Sequence, residues 1–347
     1  MGALSKKETF ELLDYFHSQG GNFIDTANNY QDEQSELWIG EWLQSRPGLR
    51  DEMVVATKFT TNFTSYRGHD NAIHSNSGGN HTKSLHVSLR NSLRKLQTDY
   101  LDILYVHWWD FTTSIPELMT ALNTVCEQGK VLYLGISDTP AWIVAKANQY
   151  ARDHGLRPFV IYQGLWSAAE RSFEREILHM VRDEGMGIAN WGALGGGNFK
   201  TKAQREALGQ EGRQMPASPN HEAVTEVLEE IAKRKGTAVT SVALAYVMHK
   251  APNVYPIVGG RKIEHLKGNI EALGLELTAE DVAKIEGAYP FDLGFPMSML
   301  GRTGRPEDVL LSYPSGHFDY VERVKPIPPP QSLGEERPAP FGGAMKR

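Results

Sequence analysis

Four side chains suited to proton transfer follow short apolar runs that predict strands. Asp25 ends the first run, and Tyr30 follows it five residues later. Lys58 ends the second run, and His107 follows the third. An apolar run that turns polar is typical of a buried strand that ends at a rim. A carboxylate, a phenol, an amine and an imidazole at one rim could move a proton to or from a small substrate.

Each of these residues, taken alone, also fits a structural role. Asp25 could cap the next helix and Tyr30 could be a loop aromatic at the rim. Lys58 could be a solvated rim lysine, and His107 a core histidine bonded to a backbone carbonyl. The repeated placement at strand ends favours a shared site, because the carboxyl ends of parallel strands meet at one edge.

Helical and strand patterns alternate along the chain, with one strand-helix unit about every 30–40 residues, which predicts an α/β fold with a parallel sheet and right-handed crossovers. The predicted strands cover residues 23–25, 53–58, 100–107, 131–137, 159–163, 187–191 and 254–258. The predicted helices cover residues 6–18, 35–44, 85–96, 115–126, 141–152, 173–183, 222–233, 239–249, 263–272 and 278–287. A doubly wound sheet and a (β/α)8 barrel both fit this alternation. The barrel is favoured because the notable residues end several different strands.

The composition is that of an ordinary globular protein. The chain has 347 residues, 40% hydrophobic and 22% charged, with a formal net charge of -6. This mild acidity predicts neither nucleic acid nor an anionic membrane as a partner. No apolar run approaches the ~20 residues that span a bilayer. The single cysteine, Cys126, is expected in the core, and the absence of disulfides fits a cytoplasmic location.

We expect one barrel domain over residues 1–315 and a proline-rich tail over residues 316–347. Prolines crowd the chain from Lys325 onward and apolar anchors are few, which predicts an extended or disordered segment.

Several longer motifs resemble those of the aldo-keto reductases, and within them the fungal branch of aryl-alcohol dehydrogenases and norsolorinic acid reductases. The resemblance runs from about residue 6 to residue 290. It rests on GGNFIDTA (20–27), ATK (56–58), DYLDILYVHWWD (99–110), GKVLYLGISDT (129–139) and PIVGGRK (256–262). It implies a (β/α)8 TIM barrel and an NADPH-dependent oxidoreductase that reduces aromatic aldehydes or ketones reversibly, in secondary metabolism.

The resemblance also implies roles for the four residues at the rim. Tyr30 would be the general acid that protonates the carbonyl oxygen. Lys58 would stabilise the resulting phenolate, and Asp25 would hold Lys58. His107 would orient the carbonyl and share in proton relay.

On the cofactor side, the resemblance implies contacts to NADPH or NADP+ from residues at later strand ends and one late helix. These residues are Ser137, Asp138, Gln163, Trp191, Gly195, Gly259, Arg261, Lys262, His265 and Asn269. The family usually has Asn where this chain has Asp138, and an ionised Asp can only accept hydrogen bonds. Trp191 could instead be a core tryptophan, and Arg261 with Lys262 a solvated basic turn. As cofactor contacts, the helix N–H groups and the cations of Arg261 and Lys262 would suit the 2′-phosphate of NADPH.

An aromatic carbonyl or alcohol substrate would meet Trp108, Trp109 and Tyr66. No metal site is predicted, because no paired histidines or clustered carboxylates end the strands. No strand pattern precedes residue 6, so we expect a barrel that lacks its first strand. A homo-oligomer formed through the open edge, and a non-catalytic NADPH-binding protein, therefore stand as alternatives.

Overall fold

The computed structural model describes residues 4–67, 73–200, 218–301, 316 and 322–329. In chain order the strands are β1 (Phe23–Asp25), β2 (Val54–Phe59), β3 (Leu101–Val106), β4 (Val131–Ser137), β5 (Phe159–Gln163) and β6 (Gly187–Ile188). The helices are α1 (Lys6–Ser18), α2 (Gln34–Gln44), α3 (Leu49–Glu52), α4 (Thr82–Leu96), α5 (Ile115–Glu127), α6 (Ala141–Asp153), α7 (Ile177–Asp183), α8 (Pro219–Lys235), α9 (Val239–Lys250), α10 (Ile263–Glu271), α11 (Ala279–Glu286) and α12 (Met297–Leu300). Short 3-10 turns lie at Ser65–Arg67, Ser172–Glu174, Gly195–Gly197 and Ala272–Gly274.

The six strands form one parallel sheet in which each strand pairs with the next along the chain. A doubly wound sheet would reverse its strand order near the middle, and this sheet does not. On the outside, α1 packs against α10, where Lys267 Nζ lies 5.7 Å from the Tyr15 ring. The first and a late helix of the chain are therefore neighbours. The predicted α/β class is confirmed, and the sheet is a curled part of a (β/α)8 barrel.

The last two predicted strands are less regular than expected. Strand β6 is regular over two residues, although the chain near Val254 still runs parallel beside it. The Ile188 N–H donates to the Asn253 carbonyl at 2.9 Å, and the Ile257 N–H donates to the Asn190 carbonyl at 2.9 Å. The prediction of a regular strand over 254–258 is wrong: the segment donates toward β6 from Tyr255 and Ile257, and Pro256 between them has no N–H to give to a neighbour on its other side. Among the described residues, the edges of the sheet are β1 and this irregular segment.

Other predicted bounds shift by a few residues. The helix predicted over 173–183 begins as a 3-10 turn, and α7 starts at Ile177. The short helices α3 and α12 were not predicted, since four residues are too few to show a helical period. The domain boundary predicted at residue 315 and most of the tail lie outside the described residues, so both stay predictions.

The core is divided into two parts by the sheet. The larger part lies between strands and helices and includes Cys126, whose burial raises the pKa of its thiol to about 11. The smaller part lies on the inner face, where Ala56, Ile103 and Tyr105 pack together. Beside them, Gly135 makes room for Tyr105: a Cβ at this position would lie 2.4 Å from the tyrosine ring. Among the described helices, none is long and apolar enough to cross a membrane.

Side chains alternate along each strand, so residues two apart share a face. Asp25, Lys58, Ser137 and Gln163 thus follow inner-face residues at the carboxyl ends of their strands. The inner face is apolar toward the amino ends of the strands and polar at their carboxyl ends. The polar side chains therefore lie together at the carboxyl end of the sheet, which we call the mouth.

A close contact between α2 and α4 depends on Gly40. A Cβ at this position would lie 2.2 Å from the backbone carbonyl oxygen of Lys95. We expect Gly40→Ala to lower the free energy of unfolding by about 1–3 kcal/mol, because backbone must move to admit the methyl group. Gly268→Ala in α10 is the matched control: its Cβ would meet nothing within 4 Å, and the change should be neutral or stabilise by up to ~1 kcal/mol. Denaturant unfolding measures both, and equal effects would contradict the packing argument.

Candidate active site

A buried ion pair lies at the centre of the mouth. Lys58 Nζ is 2.5 Å from Asp25 Oδ2, and the side chains are 0% and 6% exposed. The ammonium also donates to the Thr26 carbonyl at 2.9 Å. The other Asp25 oxygen accepts a hydrogen bond from Gln163 Nε2 at 2.8 Å. Both charges are therefore paired and hydrogen-bonded, which a buried ion pair requires.

Tyr30 and His107 lie next to this pair. The Tyr30 ring centroid is 5.1 Å from Lys58 Nζ and 6.0 Å from the His107 ring, which it meets edge to face. The two rings are half-buried, so both border the solvent side of the ion pair. The structure thus brings together the four residues that the sequence marks as chemical.

The loop after Tyr30 has an unusual backbone. Gln31, Asp32 and Glu33 have φ angles of 48°, 52° and 74°. Left-handed backbone at a non-glycine residue costs on the order of 1–3 kcal/mol and persists only where surrounding contacts hold it. The strain lies directly beside Tyr30, so the contacts that hold this loop also fix the phenol.

Those contacts come from a buried ion cluster centred on Lys95 at the end of α4. Lys95 Nζ lies 2.6 Å from Glu36 Oε2 and 3.2 Å from Glu33 Oε2, and it donates to the Asn28 carbonyl at 3.0 Å. Thr57, next to Lys58 in β2, donates to Glu36 Oε1 at 2.5 Å. The sequence prediction missed this cluster, since charged residues on helices are usually solvated and no spacing signal joins them.

His107 is neutral in this setting. The pKa of its imidazole is lowered from 6.5 to about 3, first by burial and second by the nearby Lys58 ammonium. Its Nδ1 lies 3.3 Å from the Thr61 hydroxyl oxygen, which also accepts a hydrogen bond from Trp108 Nε1 at 3.0 Å. A neutral imidazole can donate from one nitrogen and accept at the other.

The predicted nicotinamide residues meet at the next strand ends. Asp138 accepts hydrogen bonds from Ser137 Oγ at 3.0 Å and from Trp191 Nε1 at 3.2 Å. Trp191 is half-buried at the mouth and not a core tryptophan. Although Asp138 is exposed as a whole, desolvation of its carboxyl raises the pKa of that group, against the hydrogen bonds from Ser137 and Trp191, which lower it. Gln163 bonds to Asp25, a contact that the sequence did not suggest.

The remaining predicted cofactor residues lie on the loops and helix beyond. Gly195 opens the 3-10 turn, and all three of its glycines have positive φ. Gly259 lies in the loop before α10, and Lys262 is the N-cap of that helix. Lys262 and its neighbour Arg261 are exposed, and neither has an ion-pair partner among the described residues. His265 is exposed and Asn269 half-buried on the same helix.

The three aromatic residues predicted to meet substrate are placed differently. Trp108 is 40% exposed and Tyr66 is 47% exposed. The Tyr66 hydroxyl donates to Glu33 Oε1 at 2.9 Å, which connects the long loop after β2 to the loop after β1. Trp109 packs against the main core. Trp108 and Tyr66 therefore border the mouth, while the packing of Trp109 favours a structural role.

Comparison with known proteins agrees with this geometry. The sequence profile of the aldo/keto reductase family matches residues 1–290, and the chain belongs to that family. It is 54% identical over 341 residues to norsolorinic acid reductase B of Dothistroma septosporum, covering 94% of this chain and 86% of that protein. It is 54% identical over 350 residues to an aryl-alcohol dehydrogenase of Pestalotiopsis microspora, covering 99% and 88%. It is also 54% identical over 304 residues to norsolorinic acid reductase of Aspergillus flavus, covering 87% and 77%.

The lowered pKa of His107 predicts that its imidazole stays neutral through the physiological range. Between pH 8 and pH 5, the ring signals of His107 in an NMR titration should not move toward those of the imidazolium form. In Lys58→Met, the pKa should rise toward its ordinary value, because one of the two causes of the shift is removed. A titration midpoint near 6.5 in the parent protein would contradict this account.

Proposed function

We propose that this chain is an NADPH-dependent reductase of aromatic aldehydes and ketones that also oxidises the corresponding alcohols. The observation that carries the proposal is the buried Asp25–Lys58 pair with Tyr30 and a neutral His107 beside it. The names of the relatives, aryl-alcohol dehydrogenase and norsolorinic acid reductase, support an aryl carbonyl substrate and a place in secondary metabolism.

NADPH, when bound, supplies the hydride that the carbonyl carbon accepts. The carbonyl oxygen then needs a proton, and Tyr30 donates it from its hydroxyl group. The Lys58 ammonium stabilises the phenolate that this transfer leaves, and Asp25 keeps Lys58 charged and in place. In the reverse direction, the phenolate takes the alcohol proton.

His107 acts as a neutral hydrogen-bond donor to the same carbonyl oxygen. Burial and the neighbouring Lys58 ammonium both disfavour a charged imidazolium, so a neutral ring is the form that this site stabilises. Donation from two groups fixes the carbonyl for attack and stabilises the negative charge that develops on its oxygen.

Several features of the chain fit NADPH. Asp138 accepts from Trp191 and could accept equally from a carboxamide NH₂ group, so an Asp in place of Asn does not exclude the nicotinamide. Three glycines with positive φ let the backbone come close to a pyrophosphate. Arg261 and Lys262 offer two cations beside the N-terminus of α10, which suits the extra phosphate of NADPH over NADH.

The function is tested with purified full-length protein by following NADPH oxidation against a panel of aromatic aldehydes. Tyr30→Phe should lower turnover by about 10²–10⁴-fold, the usual contribution of a general acid. The affinity of this variant for NADPH should stay unchanged, because the Tyr30 hydroxyl is proposed to give a proton to the substrate and not to bind the cofactor. Tyr133→Phe is the control, since Tyr133 is an exposed tyrosine in the lower half of β4. NADPH binding without turnover in the parent would instead indicate the non-catalytic alternative.

Cofactor preference is tested by changing Arg261 and Lys262 together to alanine. The loss of two charge-assisted contacts should weaken NADPH binding about 10–100-fold and leave NADH binding nearly unchanged. Lys6→Ala with Lys7→Ala removes two exposed lysines from the start of another helix and should change neither affinity. Equal affinities of the parent for the two cofactors in a fluorescence titration would contradict the proposed preference for NADPH over NADH.

A further inference from the structure

Thr61 lies between two residues of the mouth. It follows β2 and belongs to the long loop that leads to α4. Its hydroxyl oxygen accepts from Trp108 Nε1 at 3.0 Å and lies 3.3 Å from His107 Nδ1. These are its side chain's hydrogen-bond contacts within the described residues. The hydroxyl thus joins an indole to an imidazole.

The direction of the Trp108 bond follows from the chemistry of the indole, while the His107 bond has two possible directions, which depend on the tautomer of the ring. An indole N–H can only donate, so the Thr61 oxygen is the acceptor toward Trp108. The Thr61 hydroxyl still has its proton to donate, and His107 Nδ1 is the acceptor within reach of it among the described residues. A neutral imidazole that accepts at Nδ1 carries its proton on Nε2.

Thr61 is held in place by its surroundings. Its carbonyl oxygen accepts from Asn28 Nδ2 at 3.0 Å, and the same amide nitrogen donates to Ser88 Oγ at 2.9 Å. The preceding Thr60 has a φ of 91°, a left-handed backbone that is rare for a β-branched residue. The Thr60 hydroxyl donates to Asn80 Oδ1 at 2.7 Å and accepts from the backbone N–H of His107 at 3.3 Å. Strained backbone held by buried contacts is typical of a functional position.

We propose that Thr61 is a positioning residue that, together with Trp108, fixes His107 in the tautomer with its proton on Nε2. This tautomer presents an N–H donor to the carbonyl oxygen of the substrate. Without the Thr61 hydroxyl, the proton can also reside on Nδ1, and that form turns an acceptor nitrogen toward an oxygen that cannot donate. The inference rests on the proposed reductase function and adds the group that sets its hydrogen-bond donor.

The experiment compares Thr61→Val, which removes the hydroxyl, with Thr61→Ser, which keeps it. In the full-length protein, ¹⁵N NMR of the His107 ring should show the Nε2–H tautomer for the parent and Thr61→Ser. Thr61→Val should show a mixture of tautomers and a kcat/KM for aldehydes that is lower by about 3–10-fold, the value of one neutral hydrogen bond. The dissociation constant for NADPH should stay the same. Thr64→Val is the control, because Thr64 lies in the same loop but its hydroxyl bonds to Asn62 and His74 and not to His107.

Trp108→Phe removes the indole donor and leaves Thr61 in place, so it provides a second variant if Thr61→Val does not fold. It should also show a mixture of tautomers. A parent protein in the Nδ1–H tautomer, or a Thr61→Val variant with unchanged tautomer and kcat/KM, would overturn the proposal. If the tautomer changes in Thr61→Val but the parent reduces no aldehyde, the positioning role is supported and the reductase function is contradicted.

Discussion

The buried ion pair of Asp25 and Lys58 is the interaction on which the rest of the site depends. It joins β1 to β2, and through Gln163 it reaches β5. A buried pair of this kind is weak evidence for stability, because desolvation offsets much of the attraction between the charges. Its hydrogen bonds and burial instead hold the Lys58 ammonium in a fixed position next to the Tyr30 ring. We therefore attribute the pair to the chemistry at the mouth.

The fold supports this charge with layers of contacts that become more polar toward the mouth. Apolar residues fill the inner face below Lys58, and Tyr105 lies 5.8 Å from its ammonium. Behind the sheet, the Lys95 cluster holds the strained loop that carries Tyr30. Above it, Thr61 connects the loop after β2 to His107. Each of the four side chains at the mouth therefore has a neighbour that limits its motion.

The sequence predicted the parts of this arrangement that depend on local pattern. Apolar runs that turn polar at their ends placed Asp25, Lys58 and His107 at one edge of a parallel sheet, where the structure has them. The family motifs named Tyr30 and the cofactor residues, whose roles stay predictions. The contacts between distant residues were not predictable in this way. Gln163 meets Asp25 across 138 positions of the chain, and no local pattern contains that distance.

Two further features escaped prediction for physical reasons. Three consecutive left-handed residues after Tyr30 have no glycine to signal them, since tertiary contacts impose the backbone there. The Lys95 cluster requires α2 and α4 to approach closely, and Gly40 permits this because it places no side chain against the backbone of Lys95. The sequence alone does not show which backbone lies opposite a glycine. Pro256 was visible in the sequence, and its missing N–H leaves the last predicted strand without a donor at that residue on the side away from β6.

The central claim is that the Asp25–Lys58 pair serves catalysis and adds little net stability. The most direct measurement is the free energy of unfolding of Asp25→Asn, Lys58→Met and the double variant, with aldehyde turnover recorded for each. Either single change should cost about 3–5 kcal/mol, because one buried charge is left unpaired, and the double variant should recover most of this loss. The double variant should fold and show no turnover. A folded double variant that still reduces aldehydes at the parent rate would contradict the account.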